Sequence, residues 1–254
     1  MKRTIASILT VAALALGAHA AAAAEGEADL PEFEWSFAGI FGQFERPALQ
    51  RGLQVYREVC SACHSLRLVA FRTLADLGYS EEDIKAIAAE YTVMDGPDDE
   101  GEMFERDGRP SDYFPKPFAN SKAAAAANNG AVPPDLSLMA KARVGGPSYI
   151  RALISGYEEP PADMEILEGQ NYNRYFPGHL VAMAPPLADE AVEYQDGTVA
   201  TVDQMASDVA TFLMWTAEPE METRKRTGVK VILFLLVLTG VLYAVKRKVW
   251  ADLH

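Results

Sequence analysis

Cys60 and Cys63 are the only cysteines in 254 residues, and His64 directly follows the second. Cys60-Ser61-Ala62-Cys63-His64 is the C-x-x-C-H attachment signature of a c-type haem. In it, two thiols add to the porphyrin vinyl groups and the adjoining imidazole lies within reach of the iron. A chain with this signature has to fold around a flat, largely apolar ring. A zinc ribbon would need a second Cys or His pair, and none stands at a usable spacing. A redox dithiol of the thioredoxin kind has no need of the histidine. With both thiols committed to one covalent haem, no cysteine is left for a structural disulfide.

Two apolar runs set the targeting. Lys2 and Arg3, an apolar stretch over residues 5–16 and small residues through Ala24 predict an export signal over residues 1–24, with Glu25 opening the mature chain. That stretch is shorter than the roughly 17–25 residues a membrane span needs. The second run, residues 229–245, reaches about 25 Å as a helix, and snorkelling flanks extend it, so it predicts a transmembrane anchor. Arg224, Lys225 and Arg226 precede it, and Lys246, Arg247 and Lys248 follow it. Basic-residue asymmetry therefore does not orient the helix, but the export signal does. The expected organisation is a signal over 1–24, an exported domain over 25–222, and an anchor with a short cytoplasmic tail over 223–254. The expected location is the bacterial inner membrane, single-pass, with the haem domain in the periplasm.

The formal net charge is -13, but it is unevenly spread. Residues 25–223 hold 35 acidic and 14 basic side chains, a net of -21. The acids cluster at residues 95–112, 158–168 and 189–193. A field of this sign repels nucleic acid and attracts a basic partner in a salt-dependent way. At 49% hydrophobic residues the chain has enough apolar material for a core.

Along the chain, residues 32–44 carry aromatics and glycines without a clear period and predict an extended segment packed on the domain. Leu49, Leu53, Tyr56 and Val59 recur at helical spacing after Pro47, so a first helix ends in the haem motif. A second helix is expected over 66–77, stopped by Gly78. A third opens on a Ser80/Asp83 capping box and runs to about Tyr91. The acidic stretch that follows is expected to be a surface loop. Residues 113–118 are extended because their prolines forbid helix. Short helices are expected over 121–127, 135–143 and 147–155, with loop over 158–179. Asp196-Gly197 suggests the tight turn of a small hairpin. Thr201 caps a last amphipathic helix with Met205, Val209, Phe212 and Leu213 on one face, leading almost directly into the anchor. The fold class is mostly α: a c-type haem domain with long loops, a small β-hairpin and one C-terminal transmembrane helix.

The second axial position decides what such a haem does, since an open site binds small ligands whereas a strong second ligand restricts it to passing electrons. His19 leaves with the signal and His254 lies beyond the anchor, which leaves His179 and the methionines. Met183 stands in His179-Leu180-Val181-Ala182-Met183-Ala184-Pro185-Pro186, far along the chain from the motif and stiffened by two prolines. Met205 and Met214 fall on a helix face as packing residues, and Met94 and Met103 lie in the acidic stretch. Met183 is the preferred ligand and His179 the alternative. His and Met ligation raises the potential, as suits a late carrier.

Taken together, these segments resemble the cytochrome c1 family, the haem-bearing subunits of quinol:cytochrome c reductase (cytochrome bc) complexes. The resemblance rests on W-S-F-x-G at Trp35, the haem motif with Ser65, Y-F-P-K-P-F at Tyr113 and A-N-N-G-A-V-P-P-D-L-S at Ala127. It also rests on A-R-x-G-G at Ala142, N-x-Y-F-P-G-H-L at Asn173, M-A-P-P at Met183, and the A-E-P-E and R-K-R elements before the anchor. It implies one covalent haem c on Cys60 and Cys63, with iron ligands His64 and Met183. It further implies that Arg143 and Tyr149 pair with the haem propionates and that the loop from Asn128 to Pro134 packs on the ring. The implied partners are a cytochrome b subunit, a Rieske-type iron-sulfur protein, a basic cytochrome c and membrane lipid, in a dimeric complex. The implied role is electron transfer, from the iron-sulfur protein to a cytochrome c, with no bond chemistry by this chain alone. Some relatives carry an arginine in the segment matching residues 123–127, which is all alanine here, and others carry a disulfide that cannot form here. The alternative is a membrane-anchored cytochrome shuttle or a cytochrome subunit of another oxidoreductase. A c-type peroxidase would want a second haem motif, and none is present.

Overall fold

The structure, a computed structural model, describes residues 29–251. The expected export signal lies outside the described residues. Helix α1 (Arg46–Val55) runs without a break into a π-helical turn, Tyr56–Cys60. A 3-10 segment (Phe71–Leu77), α2 (Glu81–Ala89) and the hairpin β1 (Thr92–Asp95) and β2 (Phe104–Asp107) follow. Next come α3 (Ser121–Ala127), α4 (Met139–Ala142) and α5 (Gly146–Ser155). A second hairpin pairs β3 (Asn171–Tyr172) with β4 (Leu180–Val181), and the chain closes with α6 (Val202–Ala217) and α7 (Met221–Trp250). The fold is mostly helical, with two small antiparallel sheets.

The core forms where α6 is held between α1 and α5. Thr201 caps α6 by accepting from Gln204 N, and the helix buries Met205, Val209, Phe212 and Leu213. From α1, Leu49 and Leu53 are fully buried. Gly52 marks the closest approach of the two helices: a Cβ there would stand 2.2 Å from Asp208 O and 2.6 Å from Phe212 Cβ. Beside this crossing Arg51 donates to Asp208 at 2.8 and 2.9 Å, and to Asp196 at 2.7 Å. Asp208 is 2% exposed, so the guanidinium offsets the cost of burying its carboxylate.

Several local expectations hold. Ser80 and Asp83 form the reciprocal capping box of α2, and Gly78 closes the 3-10 segment at φ 94°. Trp35 donates its indole N–H to Ser148 Oγ at 2.9 Å, packing the N-terminal segment on α5.

Other expectations are corrected. The acidic stretch expected as loop over 95–112 contains β2, with Thr92 paired to Asp107 and Asp95 to Phe104. Arg106 stitches it by donating to Asp95 and, at 2.6 Å, to Asp112. The loop expected over 158–179 contains β3. Asp196-Gly197 is a turn without flanking strands. The helix expected over 66–77 is 3-10 only from Phe71, and the one expected over 135–143 is helical only from Met139. There Asp135 Oδ1 accepts from Ser137 N at 3.0 Å, a side-chain turn that competes with helix initiation. The apolar anchor run also carries one charge, Lys230, in its first turn. Helix α7 is nonetheless long and apolar enough to cross a membrane, with an 18-residue window at mean hydropathy 2.4.

Candidate haem site

The π-helical turn delivers the motif. Ser61 N donates to Tyr56 O at 2.8 Å across five residues, widening the helix by one residue before the cysteines. Cys63 N and His64 N then both donate to Cys60 O, at 3.1 and 2.9 Å. The chain is thus still coiled through His64, and positions three apart share one face of a turn, so the two thiols stand side by side. Both are unpaired and partly buried. Burial, with the neighbouring Cys63 second, pushes the Cys60 thiol up to about 12. A raised Cys60 thiol is the opposite of the stabilised thiolate on which a redox dithiol relies. Among the described residues no cluster of three His, Cys, Asp or Glu side chains could hold a metal ion.

His64 is oriented from both ends. Its carbonyl accepts from the buried Tyr56 hydroxyl at 3.2 Å, and its ring Nδ1 lies 2.8 Å from Pro134 O. Burial lowers the imidazole's pKa, against the raising effect of the Pro134 carbonyl, so the ring is neutral at pH 7. A neutral ring that donates Nδ1–H to a carbonyl keeps the Nε2 lone pair for a metal, as second-shell partners of histidine ligands commonly arrange. The residues therefore fit a covalently held haem.

The loop that presents Pro134 is fastened to the motif by Asp135. Its Oδ2 accepts from Ser65 Oγ at 2.7 Å and Arg67 N at 3.0 Å, while Leu68 N donates to Ser137 Oγ at 3.1 Å. Leu136 N adds a backbone bond to Ser65 O at 2.9 Å. Hydrogen bonds from Arg67, Ser137 and Ser65 outweigh burial and hold the Asp135 carboxyl below the usual range. Asn128 ends α3 and donates to Ala124 O at 2.8 Å. An open cleft beside Cys63 is walled by Ser65, Phe118, Ala124, Val132 and Pro133.

Met183 lies just past β4, with its side chain partly buried. Its carbonyl accepts from the Tyr157 hydroxyl at 3.0 Å and from Asn171 Nδ2 at 3.3 Å. Asn173, fully buried, braces the same hairpin: it donates to Leu153 O at 2.7 Å and accepts from Tyr175 N and Phe176 N. His179 is exposed, sits at φ 61°, stacks on Tyr172 and has Nδ1 3.3 Å from Asn173 O. Met205 is in the core at 0% exposure, and Met94 and Met103 are each 57% exposed. Arg143 is exposed, and the one hydrogen bond of its guanidinium among the described residues goes to Ala142 O. Tyr149 is buried, with its phenol pKa raised by burial against the opposing charge of Arg143. Burial likewise raises the Tyr157 phenol, with Tyr149 as the second cause, so Arg143, Tyr149, Tyr157 and the Met183 loop form one neighbourhood.

The π-turn, Asp135, Tyr157, Asn171 and Asn173 escaped the sequence reading as supports of the site. Only Asp135 gave a local sign, as an Asx residue two positions before a serine.

A model of the Cytochrome C1 family matches residues 35–253. The chain belongs to the cytochrome c1 family. It is 51% identical to the cytochrome c1 of Rhodospirillum rubrum, over 94% of this chain and 93% of that protein. It is 52% identical to a mitochondrial cytochrome c1 heme protein of Arabidopsis thaliana, over 91% of this chain and 75% of that protein. It is also 51% identical to cytochrome b/c1 of Bradyrhizobium diazoefficiens; the match takes in 98% of this chain but spans only 39% of that longer protein. Membership of the cytochrome c1 family makes this chain a haem-containing, electron-carrying subunit of a cytochrome bc1 complex, which also contains cytochrome b and a Rieske protein.

Proposed function

We propose that this cytochrome c1 family member accepts one electron at a time from the Rieske-type iron-sulfur protein, after quinol oxidation, and passes it to a basic cytochrome c. One haem c would be held by thioethers to Cys60 and Cys63, with His64 Nε2 and Met183 Sδ available to its iron. When bound, that group supplies a one-electron ferric/ferrous couple, and the chain performs no bond chemistry of its own. The observation that carries the ligand reading is the His64 ring, with Nδ1 engaged by Pro134 O at 2.8 Å and no hydrogen bond to Nε2 among the described residues, on the same turn as both thiols. Met183 is supported by the two hydrogen bonds that pin its carbonyl, and His179 is disfavoured by its exposure and its stacking on Tyr172.

Around the ring, Arg143 and Tyr149 serve the propionates, Arg143 by charge and Tyr149 by its hydroxyl, and the segment from Asn128 to Pro134 covers one face. Residues 1–24 direct export, residues 25–222 form the haem domain in the periplasm, and residues 223–254 anchor it in the bacterial inner membrane within a dimeric complex. The anionic surface, a net of -21 over residues 25–223, draws the basic cytochrome c.

Purification in mild detergent tests the assignment. Cytochrome b and the iron-sulfur protein should co-purify with this chain, and quinol should reduce its haem rapidly. Recovery of the chain alone, with no quinol-driven reduction, would favour a free-standing shuttle. Reduction of a basic cytochrome c should slow as ionic strength rises past the point where the Debye length drops below about 8 Å. A rate indifferent to salt would reduce the acidic surface to a solubility feature.

A further inference from the structure

Residues 36–43 form a closed loop. Ala38 N donates to Trp35 O at 2.9 Å and Gln43 N to Ser36 O at 3.1 Å. Gly42 permits the closure, since a Cβ there would meet Ala38 O at 1.9 Å. The base of the loop is aromatic and buried: Phe37 and Phe44 are each 5% exposed, and their rings lie 5.0 Å apart. The tip is apolar and bare. Ile40 is 66% exposed and Phe41 78%, the highest value among the exposed large hydrophobic side chains described, those of the anchor included.

The loop is strapped to the start of α7 at two levels. Phe44 N, below the loop's base, donates to Glu222 Oε1 at 2.7 Å, and Arg46 holds the same carboxylate at 2.9 and 3.2 Å. Phe37 O at the base and Gly42 O on the return limb both accept from Lys225 Nζ. The two straps leave α7 at positions 222 and 225, about 4.5 Å apart along the helix, the second nearer the apolar run. Lys225 stands four residues before the apolar run opens at Val229, so the loop is held beside the segment that leads into that run. Arg226 and Lys230 are exposed on that same segment of α7, placed for phosphate headgroups.

We propose that the Gly39–Phe41 tip is a second membrane contact of this subunit, inserting Ile40 and Phe41 into the headgroup–acyl boundary of anionic phospholipid beside the anchor. An apolar tip with basic neighbours is the chemistry of an interfacial anchor. With the tip immersed and Glu222 and Lys225 clasping its stem, the haem domain is fixed against the membrane at two points instead of swivelling on one helix.

The proposal rests on α7 being the membrane span, and the experiment separates the two. With Cys60 and Cys63 carrying the haem, an introduced cysteine is the one free thiol of this chain, and the unsubstituted complex labelled in parallel gives the background from the other subunits. Nitroxide labels are placed at Ile40→Cys, at Val237→Cys within α7, and at Val199→Cys before the distal end of α6. The whole complex is reconstituted in phosphatidylcholine–phosphatidylglycerol vesicles. Power-saturation spectroscopy compares oxygen, which concentrates in lipid, with a water-soluble nickel chelate. The label at 40 should favour oxygen severalfold over the label at 199, and adding Phe41→Asp should reverse that preference while the haem spectrum stays unchanged. A label at 40 reached by nickel, or shielded from both reagents as under a neighbouring subunit, overturns the proposal. A label at 237 that does not favour oxygen overturns the anchor reading instead.

Discussion

Removing the Asp135 carboxylate should loosen the Pro134 loop by an amount that can be worked out. Asp135→Ala deletes the acceptor of three hydrogen bonds, from Ser65 Oγ at 2.7 Å, Arg67 N at 3.0 Å and Ser137 N at 3.0 Å. A bond to a charged acceptor contributes about 1.5–3 kcal/mol when its partner is left buried and unpaired. The side chain is 21% exposed, so water can reach part of the vacated space, and the three bonds share one network and do not add. The net loss is about 2–4 kcal/mol. With a urea dependence of about 2–3 kcal/mol per molar, the unfolding midpoint should fall by about 1–2 M at unchanged slope. The assay is urea unfolding of the purified full-length haem protein followed by circular dichroism. Asp135→Asn, which keeps one acceptor oxygen, should lose about half as much. A midpoint for Asp135→Ala within about 0.5 kcal/mol of wild type would refute the claim that this carboxylate ties the Pro134 loop to the motif.

Two further outcomes follow from packing and charge. Gly52→Ala forces a methyl group against the Asp208 backbone and should cost about 1–3 kcal/mol, a fall of several degrees in Tm. Gly228→Ala, which meets nothing within 4 Å, should leave Tm unchanged or raise it. In acid, several carboxyls are held below their unfolded values. Asp196 is lowered to about 2 by Thr198 and then Arg51, Asp112 is lowered by Arg106, and Glu218 by Lys141 and Arg224. The native state then binds fewer protons than the unfolded chain, so stability is complete above about pH 4–5 and falls as pH drops toward about 2. A melting series over that range should show a monotonic fall, and a flat series would contradict these ion pairs.

Much of the fold was legible wherever a local rule operates alone. The Ser80 box, the Thr201 cap and the face of Met205, Val209, Phe212 and Leu213 need only neighbours within one or two turns, and each formed as expected. The errors lie where long-range partners override composition. Residues 92–107 look like an acidic loop until Arg106 draws Asp95 and Asp112 together, after which the strands pair. The helix expected from Asp135 starts late because that carboxylate is engaged by a segment about seventy residues earlier in the chain. The thiols and His64 are proposed from spacing, since the attachment chemistry lies within five consecutive residues. What braces His64 and Met183 in the fold could not be read that way. Pro134, Tyr157 and Asn171 act through positions 70, 26 and 12 residues away, and no local pattern encodes such pairings.

The central claim is a closed, six-coordinate haem with His64 and Met183 on the iron, and Met183→Leu tests it most directly. A redox titration and reduced-minus-oxidised spectrum of the variant should show the potential falling by at least the order of 0.1 V, within the roughly 0.8 V range that axial ligands command. The reduced variant should also bind carbon monoxide, which the wild type should refuse. A variant with unchanged potential and no carbon monoxide binding would place another residue on the iron and contradict the account.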